Sequence, residues 1–384
     1  VGNLPTAIVL AGGIGSRLYP LTKIVPKPMV PFAGAPLLDY IVESLVRNGF
    51  NEVIIAARYL GEQILNYYRG RNDVKPVLLD SRDTADVIRL VSRMISGKGC
   101  FLVSMGDVVT NIPYSAFYEH HVKSGVIASI VLKEVDNPIP YGLVYLDENS
   151  NIILFCEKPP SLEIYLLSIG FHAVKSPGFH SNLVNAGIYS FREDIVDILV
   201  ENSGLMDFGR HVFPYLLESG YTIKGWIAPQ NTYWNDIGRV EVYKEALWDL
   251  LNNRVKGWAP RSIQKSRGVF VSDQAQISGT IYPPVYVGRN TTIEQGAIIG
   301  PYVVLEDNVT VKNGSRISHS VIWQNVTVGV NTLIYDSIVM NNVIVKDSVK
   351  LISSIIGTGC IVEKDVYKTT IEPCLSVSPY ANTG

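Results

Sequence analysis

Val287-Gly288-Arg289-Asn290-Thr291-Thr292-Ile293-Glu294-Gln295-Gly296-Ala297-Ile298-Ile299 opens the stretch that decides the C-terminal fold. From Val287 an aliphatic residue returns at every sixth position: Val287, Ile293, Ile299, Leu305, Val311 and Ile317. Four residues after each stands a small or β-branched residue: Thr291, Ala297, Val303, Val309, Ser315 and Val321. This period matches neither the 3.6 of a helix nor the 2 of an ordinary strand. It fits a repeating rung whose aliphatic side chains point inward near each corner, with the small residue on the tight face beside them. One rung cannot bury its own apolar face, so rungs stack into a continuous core. An antiparallel sandwich would instead show alternation and hairpin turns. Val328, Ile334, Val345 and Leu351 continue the pattern after slips. A parallel β-helix is therefore expected over residues 269–370, followed by a tail, 371–384.

Residues 1–255 have another rhythm. Thr6–Leu10, Glu52–Ala57, Val74–Leu79 and Cys100–Met105 read as strands, and Leu37–Arg47, Gly61–Tyr68 and Thr84–Ile95 as helices. Such alternation predicts an α/β domain with a mainly parallel, Rossmann-like sheet. Ligands on such sheets bind beyond the carboxyl ends of the strands. Residues 256–268, with mixed Lys, Arg, Ser, Pro and Gly, read as a linker.

The length of 384 residues suits two domains. Basic and acidic residues nearly balance, 33 against 35, which gives no bulk attraction to nucleic acid or to a membrane surface. No apolar run reaches membrane-spanning length. The start, Val1-Gly2-Asn3-Leu4-Pro5, carries no basic region like that of a signal peptide. Cys100, Cys156, Cys360 and Cys374 show no metal-ligand spacing and are expected to be reduced, mostly buried thiols. The sequons at Asn290, Asn308, Asn313 and Asn325 read as turn chemistry. A cytoplasmic location is the expectation. His120 and His121, adjacent on a helix, do not share a face and are expected on the surface.

The chemistry concentrates in Leu10-Ala11-Gly12-Gly13-Ile14-Gly15-Ser16-Arg17-Leu18, followed by Pro26-Lys27-Pro28. A strand running into three glycines lets backbone N–H groups approach phosphate oxygens. Arg17 and Lys27 can neutralise charge that builds during phosphoryl transfer. Residues 8–31 resemble the signature of the sugar-1-phosphate nucleotidylyltransferases. Tyr59-Leu60-Gly61-Glu62-Gln63-Ile64 is similar to a stretch in many members, and the hexapeptide repeat extends the likeness to the GDP-mannose and ADP-glucose pyrophosphorylases. The resemblance implies a left-handed β-helix, a nucleoside triphosphate and a sugar 1-phosphate as substrates, and Mg²⁺ as cofactor. It assigns Arg17, Lys27 and Asp107 to catalysis and Asp107 and Asp236 to the metal. Leu10, Ala11, Gly12, Gly13, Gly15, Arg17, Asp80, Thr84 and Asp86 go to the nucleotide. Gly142, Glu157, Lys158 and Asn185 go to the sugar phosphate.

Two departures stand out. Where the family places a polar base reader, this chain has Leu78, with Asp83 at a position where glycine is common. About twenty extra residues, Ser161–Ser181, precede Asn185. Mannose 1-phosphate with GTP is the expected pair. Glucose 1-phosphate adenylyl, uridylyl or thymidylyl transfer is the alternative. Asp80 and Asp86, able to accept from a purine, predict a preference for purine triphosphates. A non-catalytic, sugar-nucleotide-sensing subunit is the competing class, favoured by Leu78 and Asp83. An added acetyltransferase would need a basic histidine in the β-helix, where His319 stands alone. Exposed strand edges and apolar surface on the β-helix predict a homo-oligomer.

Overall fold

A computed structural model describes residues 5–138, 141, 143–156 and 182–374. Gly142, Glu157, Lys158 and the Ser161–Ser181 insertion lie outside the described residues. The described chain packs as two compact units. The first holds the residues up to Gly12, Val42–Arg58 and Tyr68–Trp234. The second holds Gly13–Ile41, Tyr59–Tyr67 and the chain from Asn235 onward.

The first unit is built on a sheet of β1 (Thr6–Ala11), β2 (Glu52–Ala57), β3 (Val74–Leu78), β4 (Cys100–Met105), β6 (Ala128–Glu134), β9 (Leu183–Arg192) and β10 (Ile223–Ile227). Its order is β10-β6-β9-β4-β1-β2-β3. β1 pairs in parallel with β2 and β4, and β2 with β3. β9 runs antiparallel between β4 and β6. The short β5 (Val108–Thr110) follows β4, and the hairpin β7 (Leu143–Leu146) and β8 (Ile152–Cys156) branches from β9. The α/β expectation holds, with one strand reversed in the middle. Ile8, Leu10, Ile54, Phe101, Val103 and Phe191 belong to the core that seats these strands. His121 is buried, not on the surface. Its Nδ1 lies 2.8 Å from Ser129 Oγ, and burial pushes its pKa down to about 4. The surface expectation failed because one face of Tyr114–Ser124 is buried and His121 falls on it.

The second unit carries a three-faced parallel β-helix of the left-handed class. Val287, Ile293, Ile299, Leu305, Val311 and Ile317 all enter its core. Val285 pairs with Val303, 18 residues on, but Val303 pairs with Ser320, 17 residues on. The lost residue places Ile322, not a six-step successor, above Leu305. Val321 then stacks on Val304 rather than joining the small-residue column, which Ser320 takes. Asn290, Asn308 and Asn325 sit at corners with positive φ, as turn residues do. Their amides join in a ladder that reaches Asn342, with links of 3.2, 3.0 and 3.0 Å. The expected linker is partly strand: Ile263–Ser266 pairs antiparallel with Val269–Val271. Cys360 and Cys374 form a disulfide, which corrects the reduced-thiol expectation for that pair. Rung stacking brings them together where their spacing in sequence gives no sign of it.

The β-helix and the helix Val240–Leu251 also hold the chain that follows Arg17 and Lys27. Gly34 N–H donates to Glu306 at 2.9 Å, and Tyr243 OH donates to Pro31 O at 2.5 Å. A Cβ on Gly34, whose φ is +95°, would stand 2.2 Å from Tyr286 Oη. Only glycine fits there without displacing the tyrosine.

Candidate active site

In the first unit the site begins where β1, β2, β3 and β4 end. Leu10 and Ala11 are buried strand residues, so they offer backbone rather than side chains to a ligand. Gly106 N–H donates to Leu10 O at 2.9 Å, which ties the end of β4 to the end of β1 and sets Asp107, half-buried, just beyond. Gly12 follows β1, and a Cβ on it would come 3.2 Å from Arg58 Cβ. On β9, Asn185 Oδ1 accepts from Gly187 N–H and its Nδ2 donates to Tyr189 OH, both at 3.0 Å. Gly187 has φ +75°, and a Cβ there would meet Met105 Cγ at 2.9 Å. Glycine at this position is what permits the close approach to β4.

The segment after β3 divides. Asp80 stands fully in solvent, with Oδ1 3.9 Å from Arg58 Nε. Asp86 points inward, at 6% exposure. One carboxylate oxygen accepts from Arg82 N–H at 2.9 Å and the other from Arg89 Nη1 at 3.1 Å. Burial pushes this carboxyl up, but the Arg82 N–H and the Arg82 and Arg89 charges outweigh it and hold its pKa below the usual value. Thr84 Oγ1 donates to Asp207 and accepts from Phe208 N–H, both at 3.1 Å. Thr84 and Asp86, two of the three side chains of this segment assigned to the nucleotide, are thus engaged by the protein's own groups. They anchor a helix start and a loop, and Asp80 is left as the exposed acceptor.

In the second unit Gly15 takes φ +68°, with its carbonyl accepting from Leu18 N–H and Thr22 Oγ1. A Cβ on Gly15 would lie 3.1 Å from Lys27 Cβ, so glycine lets the loop fold onto the lysine. Gly13 is exposed, with nothing near its Cβ position. Lys27 is 8% exposed, and its Nζ lies 3.7 Å from Asp236 Oδ1. A nearly buried ammonium needs such a carboxylate. Two residues on, Gly238 lies beside the Arg17 guanidinium, whose Nη1 and Nη2 are 3.6 Å from its Cβ position. Gln63 donates to Ile24 O at 2.8 Å and supports the loop between Arg17 and Lys27. One unit thus assembles two cations and a carboxylate beside glycine backbone, a constellation suited to phosphate.

A profile of the nucleotidyl transferases matches residues 6–253. The chain belongs to the nucleotidyl transferase family. Residues 281–379 match the GMPPB C-terminal domain. The chain is 27% identical to a UTP–glucose-1-phosphate uridylyltransferase of Synechocystis, over 83% of this chain and 82% of the relative. It is 29% identical to a putative mannose-1-phosphate guanyltransferase of Sulfolobus acidocaldarius, over 77% and 74%. It is 31% identical to a bifunctional protein GlmU of Methanococcus aeolicus, over 82% and 72%. No helix among the described residues is long and apolar enough to cross a membrane.

Among the described residues no three or more His, Cys, Asp or Glu gather as a metal cage. A family Mg²⁺ does not require one, because this hard ion usually takes one or two carboxylates and completes its shell with phosphate and water. Asp107 and Asp236 each offer carboxylate oxygen of the kind this ion takes.

Proposed function

We propose that this nucleotidyl transferase joins a nucleotide to a hexose 1-phosphate with release of pyrophosphate, and that GTP and mannose 1-phosphate are its pair. The observation that carries the transfer is the grouping of Arg17, Lys27 and Asp236 around Gly15 and Gly238. The match of residues 281–379 to the GMPPB C-terminal domain favours the mannose branch. Mg²⁺, bound by Asp107 and Asp236, would supply positive charge against the phosphates. Gly12, Gly13 and Gly15 offer backbone N–H groups to the triphosphate, and Arg17 and Lys27 balance the charge on the phosphates as the bond to pyrophosphate breaks. The sugar phosphate is already ionised, so its oxygen attacks the α-phosphorus without a general base. Asn185, whose side chain bonds Gly187 N–H and Tyr189 OH, is the proposed partner of a sugar hydroxyl. Gly142, Glu157 and Lys158 complete the proposed sugar-phosphate set.

The test is pyrophosphate release over a panel of triphosphates and hexose 1-phosphates, with and without Mg²⁺. GTP with mannose 1-phosphate should turn over fastest, and only with the metal. Faster turnover of UTP with glucose 1-phosphate overturns the pair. Absence of release with every pair overturns the transfer and supports a sensing subunit. Self-association through the β-helix is part of the same proposal, and a monomer by light scattering at micromolar concentration counts against it.

A further inference from the structure

Leu78, where the family resemblance implies a polar base reader, ends β3 half-exposed and offers no hydrogen bond. Beside it, two charged groups lie at the carboxyl ends of neighbouring parallel strands. Arg58 follows β2 and Asp80 follows β3 by two residues. Arg58 Nε and Asp80 Oδ1 are 3.9 Å apart, with the side chains 46% and 104% exposed. That separation is too long for a hydrogen bond. An exposed pair of this kind contributes little to stability. Arg58 also flanks Gly12 at the end of β1, where a Cβ on the glycine would stand 3.2 Å from Arg58 Cβ. Charged groups at the ends of adjacent parallel strands, with little structural work, lie where open α/β sheets bind ligands.

We propose that Arg58 and Asp80 together read the base, and that Arg58 is a specificity-determining residue for the keto group. The proposal rests on the nucleotidyl-transfer reading and names how its triphosphate is chosen. Guanidinium only donates, and an ionised carboxylate only accepts. The Watson–Crick edge of guanine presents O6, then N1–H, then the 2-amino group. Arg58 donates to O6, and Asp80 accepts from N1–H and the amino group. Uracil and thymine keep the keto oxygen and ring N–H but put a second keto oxygen where guanine has its amino group, facing the carboxylate. Adenine and cytosine present an amino group first and an acceptor second. Against this pair that order puts the amino group on the guanidinium, donor to donor, and the ring acceptor on the carboxylate, acceptor to acceptor. Leu78 supplies an apolar surface for the ring. The ranking is GTP first, UTP and dTTP next, ATP and CTP last. It departs from a simple purine preference by placing ATP below UTP.

The experiment measures binding of GTP, ITP, UTP and ATP by calorimetry, and kcat/KM for each, on the full chain and on Arg58→Gln and Asp80→Asn. ITP lacks only the 2-amino group, so it isolates the Asp80 contact. The unaltered protein should bind GTP about 10-fold or more tightly over ITP and over ATP. Asp80→Asn should bring the GTP-to-ITP ratio close to 1, and Arg58→Gln should lower the GTP-to-ATP ratio several-fold while leaving the GTP-to-ITP ratio in place. Melting temperatures should stay unchanged, since both side chains are exposed. Wild-type ratios retained in both variants overturn the reader, as does binding of none of the four by the unaltered protein. Selective GTP binding without pyrophosphate release overturns only the transfer and leaves the reader standing on its ratios.

Discussion

At the carboxyl ends of β2 and β3, Arg58 and Asp80 face each other across 3.9 Å in solvent, and Leu78 is 48% exposed. On the β-helix, Asn290, Asn308, Asn325 and Asn342 are joined amide to amide, and Val287, Leu305, Ile322 and Val339 stack fully buried. The strand ends leave polar groups available, and the asparagine corners of the rungs bond to one another. A sheet end that spends its hydrogen bonds on a ligand gives up little stability, because exposed charges contribute little to it. A solenoid lives on neighbour contacts, so each unsatisfied corner or missing methyl would weaken adjacent rungs as well.

The largest expected effect falls on turnover. Asp107→Ala and Asp236→Ala should each lower kcat by about 100-fold or more with an unchanged circular dichroism spectrum. Near-normal Mg²⁺-dependent rates in either would remove that carboxylate from the site. Next comes the contrast in packing. Leu305→Ala should cost about 2–5 kcal/mol in denaturant unfolding, as for other buried leucines. Leu78→Ala should change stability by no more than about 0.5 kcal/mol. Equal costs at the two positions would break the comparison.

A smaller effect concerns pH. Glu306 is 1% exposed; one oxygen accepts from Gly34 N–H, and the other has no hydrogen-bond partner. Burial and the nearby Asp307 charge raise its pKa from 4.5 to about 8, against the opposing pull of the Gly34 and Ala33 N–H groups. Tyr243 and Tyr286 also face it and add no positive charge. A carboxyl whose pKa is raised on folding contributes stability that is fully present below its unfolded value, near 4.5, and lost as pH rises through about 8. Glu306→Gln cannot ionise, so it should match the unaltered protein at pH 5 and melt higher at pH 9 by on the order of 5 °C. Superimposable curves at both pH values would show that Glu306 does not carry this charge cost.

The core column from Val287 to Ile317 was legible because hydrophobic period is a local signal. Ile322 was not, because a rung one residue shorter is recognised only once it stacks on Leu305. Gly15, Arg17 and Lys27 stood out through glycines and charge, and the fold brings that segment against Gly238 and Asp236. The internal engagement of Asp86 was not legible, because Arg89, three residues on, meets it only when the helix forms. Arg58 carries no motif; its neighbourhood to Asp80 is made by the β2–β3 pairing. The Cys360–Cys374 bridge likewise joins residues that rung stacking, not spacing, brings together.

Transfer to a hexose 1-phosphate is tested most directly by phosphorus NMR of the full chain with Mg²⁺, GTP and mannose 1-phosphate. The expected spectrum loses the mannose 1-phosphate signal and gains two mutually coupled product phosphates together with free pyrophosphate in equal amount. Pyrophosphate appearing with GMP while mannose 1-phosphate stays intact, or a spectrum that does not change, contradicts it.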